Sequence, residues 1–363
     1  MFENALRLVE RGVQTGAYPG AAVAVGRGDT VLARGSYGLR QNRGATLPLT
    51  QQTLFDAASL SKLIGPTMLA LRYLERGQLG LYDTLDYFFT EKDCPDAALW
   101  AVRREIPVFA LLTHTSGLAP DVPLYRLCDG PADAVRAILT SPPVSACGKE
   151  VHYSCMGFIL LQKILEQLGG ARLDALVQRE VFDVLGMKTA CYCPSEKGRT
   201  DIAATEWPNP LGKYLCGTVH DENAAFLGGV SGNAGIFVTL DDLIPFAAML
   251  SRRGDTPAGR YLAPAVFRAA VTDYTPDGEE SRGLGFQLKA PSKVYPGGEV
   301  CVPGSYGHTG FTGTSLYVDA ESGLWGILLT NAIHNGRANR TEFFSIRRRF
   351  YNAIFAEDSL TKG

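Results

Sequence analysis

Apolar and polar residues alternate with the two-residue period of β-strands near both ends of the chain. Residues 21–26 and 30–35 alternate in this way on either side of the turn residues 27–29, which predicts a β-hairpin. The preceding residues 1–10 place apolar side chains at helical spacing with charged residues between them. We therefore predict an amphipathic helix followed by two paired strands.

The C-terminal part of the chain shows the same elements in the opposite order. Residues 313–318 and 324–330 are rich in β-forming residues and are joined by the turn residues 319–323. A helical pattern over residues 343–355 follows them. Strands from the two ends can pair in one sheet that carries both terminal helices.

Between these ends the apolar residues follow a helical period, and the glycine- and proline-rich residues 190–235 indicate long loops. Helices are predicted over residues 60–77, 107–113, 131–140, 154–168, 172–182 and 240–251. The implied fold class is α/β (α+β): an antiparallel sheet flanked by N- and C-terminal helices, with an all-helical lobe inserted. We expect a single domain over residues 5–355, with a sheet lobe from about residues 1–57 and 230–363 and a helical lobe from about residues 58–229. A site between the lobes is the default expectation.

Composition excludes several classes of function. The chain has 363 residues, of which 46% are hydrophobic and 20% are charged, so it can bury a large core. Its net charge of −2 argues against a nucleic-acid-binding surface or a basic membrane patch. No apolar run approaches the roughly 18 residues of a membrane span, and the charged N-terminal helix differs from a signal peptide. We therefore expect a cytoplasmic protein without nucleic-acid or membrane partners; nothing in the sequence predicts its oligomeric state.

Ser59 and Lys62 are the strongest candidates for chemistry. They stand three residues apart at the start of an apolar helical pattern, so both side chains lie on one face of its first turn. The amine can take the proton of the hydroxyl, as in the nucleophile-and-base pair of an acyl-transfer enzyme. The same spacing recurs at Ser359 and Lys362, where a frayed terminus cannot preorganise a site. An N-cap serine beside a solvated lysine is the alternative for the first pair.

Two further segments carry groups that such a serine requires. Tyr153 precedes an apolar helical pattern, and its hydroxyl could carry a proton between a lysine amine and a leaving group. A hydrogen-bonded core tyrosine is the alternative. His308, Thr309 and Gly310 begin the C-terminal hairpin, where glycine allows close backbone approach and an edge strand can donate an N–H to an oxyanion. His308 could hold a substrate carboxylate or cap a strand end.

A third set of residues could in principle bind zinc: Cys191, Cys193, Cys216 and His220. The first two are spaced more tightly than in a usual zinc knuckle, and the gap to the second pair is long. We therefore expect thiols without a metal, and no cofactor.

The order of these motifs resembles the serine β-lactamase-related family, which includes class C β-lactamases, penicillin-binding proteins, D-aminopeptidases and esterases. The resemblance extends over about residues 5–355 and implies a β-lactamase/transpeptidase-like fold. It rests on Ser59-x-x-Lys62, residues 111–118, Tyr153-Ser154-Cys155 and His308-Thr309-Gly310. Three segments resemble the esterase-like branch of the family: residues 205–207, 217–224 and 329–331.

The resemblance implies a role for each candidate residue. Ser59 is acylated, Lys62 acts as its base with a pKa lowered by burial, and Tyr153 relays the proton. The backbone N–H groups of Ser59 and Phe311 form the oxyanion hole. The substrate contacts are Cys155, His308, Thr309 and Gly310.

Three residues depart from the family pattern. Cys155 stands where an asparagine amide usually contacts the acylated substrate, and a thiol cannot offer that pair of hydrogen bonds. His308 replaces a lysine and is mostly neutral at pH 7, which weakens the attraction of a substrate carboxylate. Pro66 lacks the N–H that would bond the carbonyl of Lys62, which predicts a local kink.

The departures at Cys155 and His308 both favour ester or amide substrates over β-lactams. We expect a serine hydrolase that forms a covalent acyl-enzyme, with carboxylesterase-like activity and weak or no β-lactamase activity. The alternatives are a D-amino-acid amidase or peptidase, a true β-lactamase, or a catalytically silent relative that binds a peptide. The expected partner is a small ester, amide or β-lactam-like molecule.

Overall fold

A computed structural model describes residues 1–206, 215–291, 293–338 and 340–360. The second serine–lysine pair, at Ser359 and Lys362, lies outside the described side chains, and Trp207 of the esterase-like segment also lies outside the described residues.

The described residues form strands of two to twelve residues, and eight of these strands form the main sheet. In chain order the strands are β1 (Gly20–Arg27), β2 (Thr30–Gln41), β3 (Leu47–Pro48), β4 (Phe55–Asp56), β5 (Cys191–Tyr192), β6 (Ile236–Val238), β7 (Asp255–Thr256), β8 (Gly259–Arg260), β9 (Ser281–Arg282), β10 (Gln287–Leu288), β11 (Tyr306–Thr309), β12 (Ser315–Val318) and β13 (Leu324–Thr330). The main sheet is antiparallel, in the order β3-β2-β1-β13-β12-β11-β10-β9. β4, β6 and β5 form a separate small sheet, and β7 pairs with β8.

The pairing of β1 with β13 joins the two ends of the chain at the middle of the sheet. Ala21 lies opposite Thr330, and Arg27 lies opposite Leu324. Successive residues of β1 point to opposite faces, and all of them except Arg27 are buried, so both faces of this strand are covered. The antiparallel sheet predicted from strands at both ends is therefore confirmed.

The helices fill the region between the strands and both termini. They are α1 (Glu3–Gln14), α2 (Leu60–Lys62), α3 (Met68–Glu75), α4 (Ala97–Arg103), α5 (Val108–Leu112), α6 (Leu124–Leu127), α7 (Ala134–Thr140), α8 (Cys155–Gly169), α9 (Leu173–Val177), α10 (Asp183–Leu185), α11 (Glu222–Phe226), α12 (Leu240–Ser251), α13 (Pro264–Ala270) and α14 (Thr341–Leu360). Every predicted helix has a counterpart. α4, α6 and α13 were not predicted, and residues 190–235 contain β5 and α11 rather than loops alone.

Two hydrophobic cores lie on the two faces of the sheet. α1 and α14 cover one face around Val23, Leu328 and Tyr351. The other face packs against α12 and the inserted helices, with Ala24 and Ile327 at the contact. The terminal helices therefore flank the sheet as predicted, while the residue boundaries of the two lobes stay a prediction. Among the described residues, the model contains no helix with the length and apolar character that a membrane span requires.

The helix that follows Ser59 changes its geometry at Pro66. Between α2 and α3 the chain forms a buried π-helical turn, Leu63–Thr67. Pro66 has no N–H to donate to the carbonyl of Lys62, so the regular α-helical ladder cannot continue there. The kink predicted at this proline thus takes the form of a π-helical turn just after the lysine.

Candidate active site

Ser59 lies on a strained turn between β4 and α2. The preceding Ala58 has a φ of 48°, in the left-handed region that residues other than glycine seldom adopt. The buried carboxylate of Asp56 holds this turn, because Oδ1 accepts the N–H of Ala58 at 2.8 Å and Oδ2 accepts the N–H of His220 at 2.7 Å. Burial raises the pKa of Asp56 despite these two donors. The same carboxylate thus fixes the nucleophile turn and ties it to the segment around His220.

The loop after β11 is bonded directly onto the nucleophile turn. Oγ1 of Thr312 donates to the carbonyl of Asp56 at 2.7 Å, and Oγ1 of Thr314 donates to the carbonyl of Ala57 at 2.9 Å. Gly310 approaches so closely that a Cβ atom there would lie 2.2 Å from the oxygen of Ala57. Glycine is therefore required at this position by contact with the nucleophile turn.

The hydrogen bonds of Thr312 and Thr314 to the nucleophile turn form a clamp between the two segments that carry the N–H groups predicted for the oxyanion hole. Neither the N–H of Ser59 nor that of Phe311 donates a hydrogen bond to another described residue. The prediction that an edge strand supplies the donor is wrong, because β11 lies inside the sheet between β12 and β10. However, β10 pairs with Tyr306 and Gly307 and ends there, so the backbone beyond Gly307 extends past its neighbour. The oxyanion-hole assignment itself stays a prediction.

Lys62 is fully buried, and its amine has three close neighbours. Nζ lies 3.1 Å from Oγ of Ser59, 2.9 Å from the carbonyl oxygen of Asn233 and 3.5 Å from Sγ of Cys155. Burial lowers the pKa of this amine, but negative charge on Cys155 and Tyr153 raises it by more, and the net direction is upward. The predicted lowering of the Lys62 pKa therefore holds for the contribution of burial, whereas the net direction is set by Cys155 and Tyr153 in their ionised forms. When the amine is protonated, each of its three protons has a neighbour.

Cys155 is held at the start of α8, beside the lysine. The side chain of Ser154 caps this helix by accepting the N–H of Gly157, and the N–H of Cys155 itself bonds the carbonyl of Pro120. Burial raises the pKa of the Cys155 thiol, so it stays protonated at neutral pH. The residue that replaces the family asparagine therefore does reach the amine of Lys62, as a neutral thiol.

Tyr153 lies between two cations. Nζ of Lys62 is 5.0 Å from the centroid of its ring, and Cζ of Arg282 is 5.3 Å from the same centroid. The tyrosine hydroxyl is buried and has no hydrogen-bond partner among the described residues. Its oxygen is therefore available to a substrate group beside both positive charges.

His308 is buried and neutral. Burial, followed by the positive charges of Arg282 and Lys62, lowers its pKa to about 3, which confirms the prediction of a mostly neutral ring. Nδ1 lies 2.7 Å from the carbonyl oxygen of Thr309, an acceptor, so Nδ1 carries the ring proton. Nε2 thus keeps its lone pair, and it has no partner within the described ranges.

Arg282 is a charged residue of this site that no sequence motif indicates. It lies on β9 with 2% of its surface exposed, and its Nη2 bonds the carboxylate of Glu280. Its Nε and Nη1 have no hydrogen-bond partner in the part of the chain that the structure describes. Arg282 therefore supplies, beside Tyr153 and His308, the positive charge that the neutral histidine lacks. The pairing of β9 with β10, and of β10 with β11, is what brings it there.

The esterase-like segment at residues 217–224 places a second histidine next to the oxyanion loop. The ring of His220 is stacked on the ring of Phe311 with centroids 5.6 Å apart, and its Nε2 lies 3.0 Å from Oε2 of Glu206. Sγ of Cys216 bonds the carbonyl of Ile202 instead of approaching this ring. No group of three or more histidine, cysteine, aspartate or glutamate side chains suited to a metal occurs among the described residues. The zinc alternative is therefore wrong for these four candidate ligands.

Comparisons with known proteins agree with this geometry. The Beta-lactamase family model matches residues 6–348. The chain is 29% identical to the N-acetylmuramyl-L-alanine amidase of Bacillus subtilis, over 90% of this chain and 80% of that protein. It is 26% identical to a Salmonella typhimurium protein with the provisional name D-alanyl-D-alanine carboxypeptidase, over 89% of this chain and 81% of that protein.

Solved structures share the fold at lower sequence identity. EstCE1, described as a hydrolase with promiscuous acyltransferase activity, gives a TM-score of 0.78 at 19% identity over 97% of this chain and 98% of its own. The octameric penicillin-binding protein homologue from Pyrococcus abyssi gives a TM-score of 0.73 at 18% identity, over 98% of this chain and 77% of that chain. The β-lactamase/transpeptidase-like fold is thus confirmed. Since the family model matches nearly the whole chain, this protein belongs to the Beta-lactamase family of serine hydrolases.

Proposed function

We propose that this chain is a serine acyl-hydrolase in which Ser59 forms a covalent acyl-enzyme with small ester or amide substrates. One observation carries the proposal: the Lys62 amine lies 3.1 Å from the Ser59 hydroxyl. Beside this pair, the N–H groups of Ser59 and Phe311 are free of acceptors among the described residues, as an oxyanion hole requires.

The chemistry follows from these contacts. Oγ of Ser59 attacks the substrate carbonyl carbon, and the two N–H groups stabilise the resulting oxyanion. The pair of Lys62 and Tyr153 accepts the serine proton after it has released one proton, either as a neutral amine beside the tyrosine hydroxyl or as an ammonium beside a tyrosinate. The unpartnered hydroxyl of Tyr153 then delivers a proton to the leaving group.

Cys155 and His308 direct the substrate preference away from β-lactams. A neutral thiol cannot provide the paired donor and acceptor of an amide to an acylated substrate. His308, neutral and buried, provides no charge for a β-lactam carboxylate, so attraction of that group depends on Arg282 instead of on the residue at the family's lysine position. An ester with an unhindered acyl group needs neither interaction, which supports carboxylesterase-like turnover.

A second candidate is an amidase or carboxypeptidase activity, and Arg282 favours it. Its unpartnered guanidinium N–H groups suit a substrate carboxylate, since the planar fork matches two carboxylate oxygens. Two relatives bear the names of an amidase and a carboxypeptidase, which agrees with an amide substrate. Under this candidate the carboxylate lies beside Tyr153, near the leaving group.

The proposal is tested by assaying p-nitrophenyl acetate, nitrocefin and a peptide ending in D-Ala-D-Ala with the purified protein and with Ser59→Ala. We expect ester turnover that exceeds nitrocefin turnover and that falls by at least about a thousandfold in Ser59→Ala. Release of D-alanine favours the second candidate. Ser61→Ala is the matched control, because that hydroxyl bonds the N–H of Ile236 instead of the lysine. Full activity of Ser59→Ala, or no acyl adduct on Ser59 by mass spectrometry, would contradict the proposal.

A further inference from the structure

His220 and Glu206 form a dyad beside the acylation site that the chemistry above does not use. We propose that His220 is the general base that takes a proton from the water that hydrolyses the acyl-enzyme, with Glu206 as the residue that positions it. This inference rests on the proposed acyl-enzyme at Ser59 and names the group that completes its turnover.

The hydrogen bond within the dyad defines the tautomer of the histidine. Nε2 of His220 lies 3.0 Å from Oε2 of Glu206, and a carboxylate oxygen can only accept. Nε2 is therefore the donor, and in the neutral form of the ring the lone pair lies on Nδ1. No hydrogen bond joins Nδ1 to another described residue. An imidazole with Nε2 anchored on a carboxylate and Nδ1 free of described partners has the arrangement of a general base.

Glu206 is an anion in this position. Nε of Arg337 lies 2.9 Å from each of its carboxylate oxygens. Burial alone raises the pKa of Glu206, but the hydrogen bonds from His220 and Arg337 lower it by more, and the net direction is downward. The ionised carboxylate fixes the orientation of the ring and can balance the charge of the imidazolium that proton transfer creates.

Two contacts connect His220 to the elements around Ser59. Its N–H donates to Oδ2 of Asp56, whose Oδ1 holds the N–H of Ala58, the residue before the nucleophile. Its ring is stacked on Phe311 at an interplanar angle of 19°, and Phe311 carries the second proposed oxyanion donor. The side chain is buried, with 5% of its surface exposed. We infer from the two contacts that an acyl group on Ser59 lies within reach of this ring.

A second base solves a difficulty that Lys62 presents. Nζ of Lys62 is directed at Oγ of Ser59 and at the carbonyl oxygen of Asn233, so it is placed to return a proton to Ser59 rather than to take one from water. In deacylation the water oxygen bonds to the acyl carbon while the water proton moves to Nδ1 of His220. The bond from the acyl carbon to Oγ then breaks, and Ser59 takes a proton from the Lys62 ammonium 3.1 Å away. The carboxylic acid leaves, the imidazolium releases its proton to solvent, and Lys62 regains one from solvent.

The test separates the two half-reactions with His220→Gln and Glu206→Gln, using p-nitrophenyl acetate in stopped flow. Glutamine in place of His220 can still donate to Glu206 but has no basic nitrogen. For His220→Gln we expect an acylation rate within about threefold of that of the unmodified protein. Its steady-state rate should be lower by about a hundredfold or more. Glu206→Gln should lose about tenfold, because the ring keeps an acceptor but loses the anion. The acetyl adduct on Ser59 should accumulate in both variants by intact-mass measurement.

The exposed pair of His152 and Glu150 provides a matched control. Its Nε2-to-Oε2 distance is 2.9 Å, close to that of the buried dyad, and Glu150 faces solvent. Glu150→Gln should leave both half-reactions unchanged. Equal losses of acylation and deacylation in His220→Gln would show that the ring merely supports Phe311, and an unchanged steady state would also overturn the inference. If no variant and no unmodified sample carries an adduct on Ser59, the proposed function itself fails.

Discussion

The two halves of the active site differ in how fully their polar groups are bonded. On the nucleophile half, both oxygens of Asp56 accept backbone N–H groups, and two threonine hydroxyls close the clamp. On the proton-transfer half, Tyr153, Arg282 and His308 each bury a polar atom without a partner among the described residues. A buried unpaired polar group costs about 1–3 kcal/mol. The comparison indicates that one half maintains geometry, whereas the other keeps unsatisfied groups that a substrate can bond.

The largest effect is expected at Gly310, where the nucleophile half of the site leaves no space for a side chain. Gly310→Ala would place a Cβ atom 2.2 Å from the oxygen of Ala57 and 2.1 Å from Oγ1 of Thr314, so the oxyanion loop must move. Losing one oxyanion donor lowers kcat by about a hundredfold or more, which is the loss we expect in kcat with p-nitrophenyl acetate. Gly130→Ala is the control, because a Cβ atom there meets nothing within 4 Å. Similar activity of the two variants would show that the clamp does not position the donor.

The next test concerns Arg282, the cation of the proton-transfer half. Arg282→Leu removes the guanidinium beside Tyr153, and a hydrogen bond to a charged group contributes about 1.5–3 kcal/mol. We expect kcat/KM for a peptide with a free C-terminal carboxylate to fall by about tenfold to a hundredfold, whereas the C-terminally amidated peptide loses little. Equal losses for the two peptides would remove the carboxylate-binding role. Urea unfolding of the variant checks that the fold is retained.

His308, the neutral histidine of the proton-transfer half, makes the free energy of unfolding depend on pH. Its pKa falls from 6.5 to about 3 on folding, so between these values the unfolded chain binds the additional proton. The corresponding stability is present above pH 6.5 and is lost as the pH falls toward 3. Between pH 7 and pH 5 the unmodified protein should therefore lose about 2 kcal/mol more than His308→Gln, in free energies from urea unfolding. Parallel losses in the two proteins would mean that His308 is protonated in the folded state.

The smallest expected effect concerns the thiol that contacts the lysine. Cys155→Asn introduces the amide that the family pattern carries, at a position 3.5 Å from Nζ of Lys62. One added hydrogen bond contributes about 1 kcal/mol, so nitrocefin hydrolysis should rise by about fivefold. A rate that is unchanged or lower would show that Cys155 does not limit β-lactam turnover.

Local patterns in the sequence were sufficient for the nucleophile half and for most of the fold. Ser59 and Lys62 share one helical turn, so their spacing alone predicts their contact, and the long strands β1 and β13 show a clear period. Arg282 could not be predicted in this way, because β9 and β10 are two residues long and show no period. The pairing of Glu206 with His220 joins separate loops, and only tertiary structure creates it. The net direction of the Lys62 pKa could not be predicted, because it depends on whether Cys155 and Tyr153 are ionised as well as on burial.

The position of β13 in the sheet has a consequence for synthesis on the ribosome. β1 and β2 emerge early, but the other neighbour of β1 is made only after all of the inserted helices. At typical translation rates of about 5–20 residues per second, the hairpin waits roughly fifteen seconds to a minute for that partner. The loop that carries Phe311 is also made late, immediately before β12. A nascent chain therefore holds the proposed nucleophile long before it has the proposed oxyanion hole, and the proposed hydrolysis should begin only as the final strands leave the ribosome.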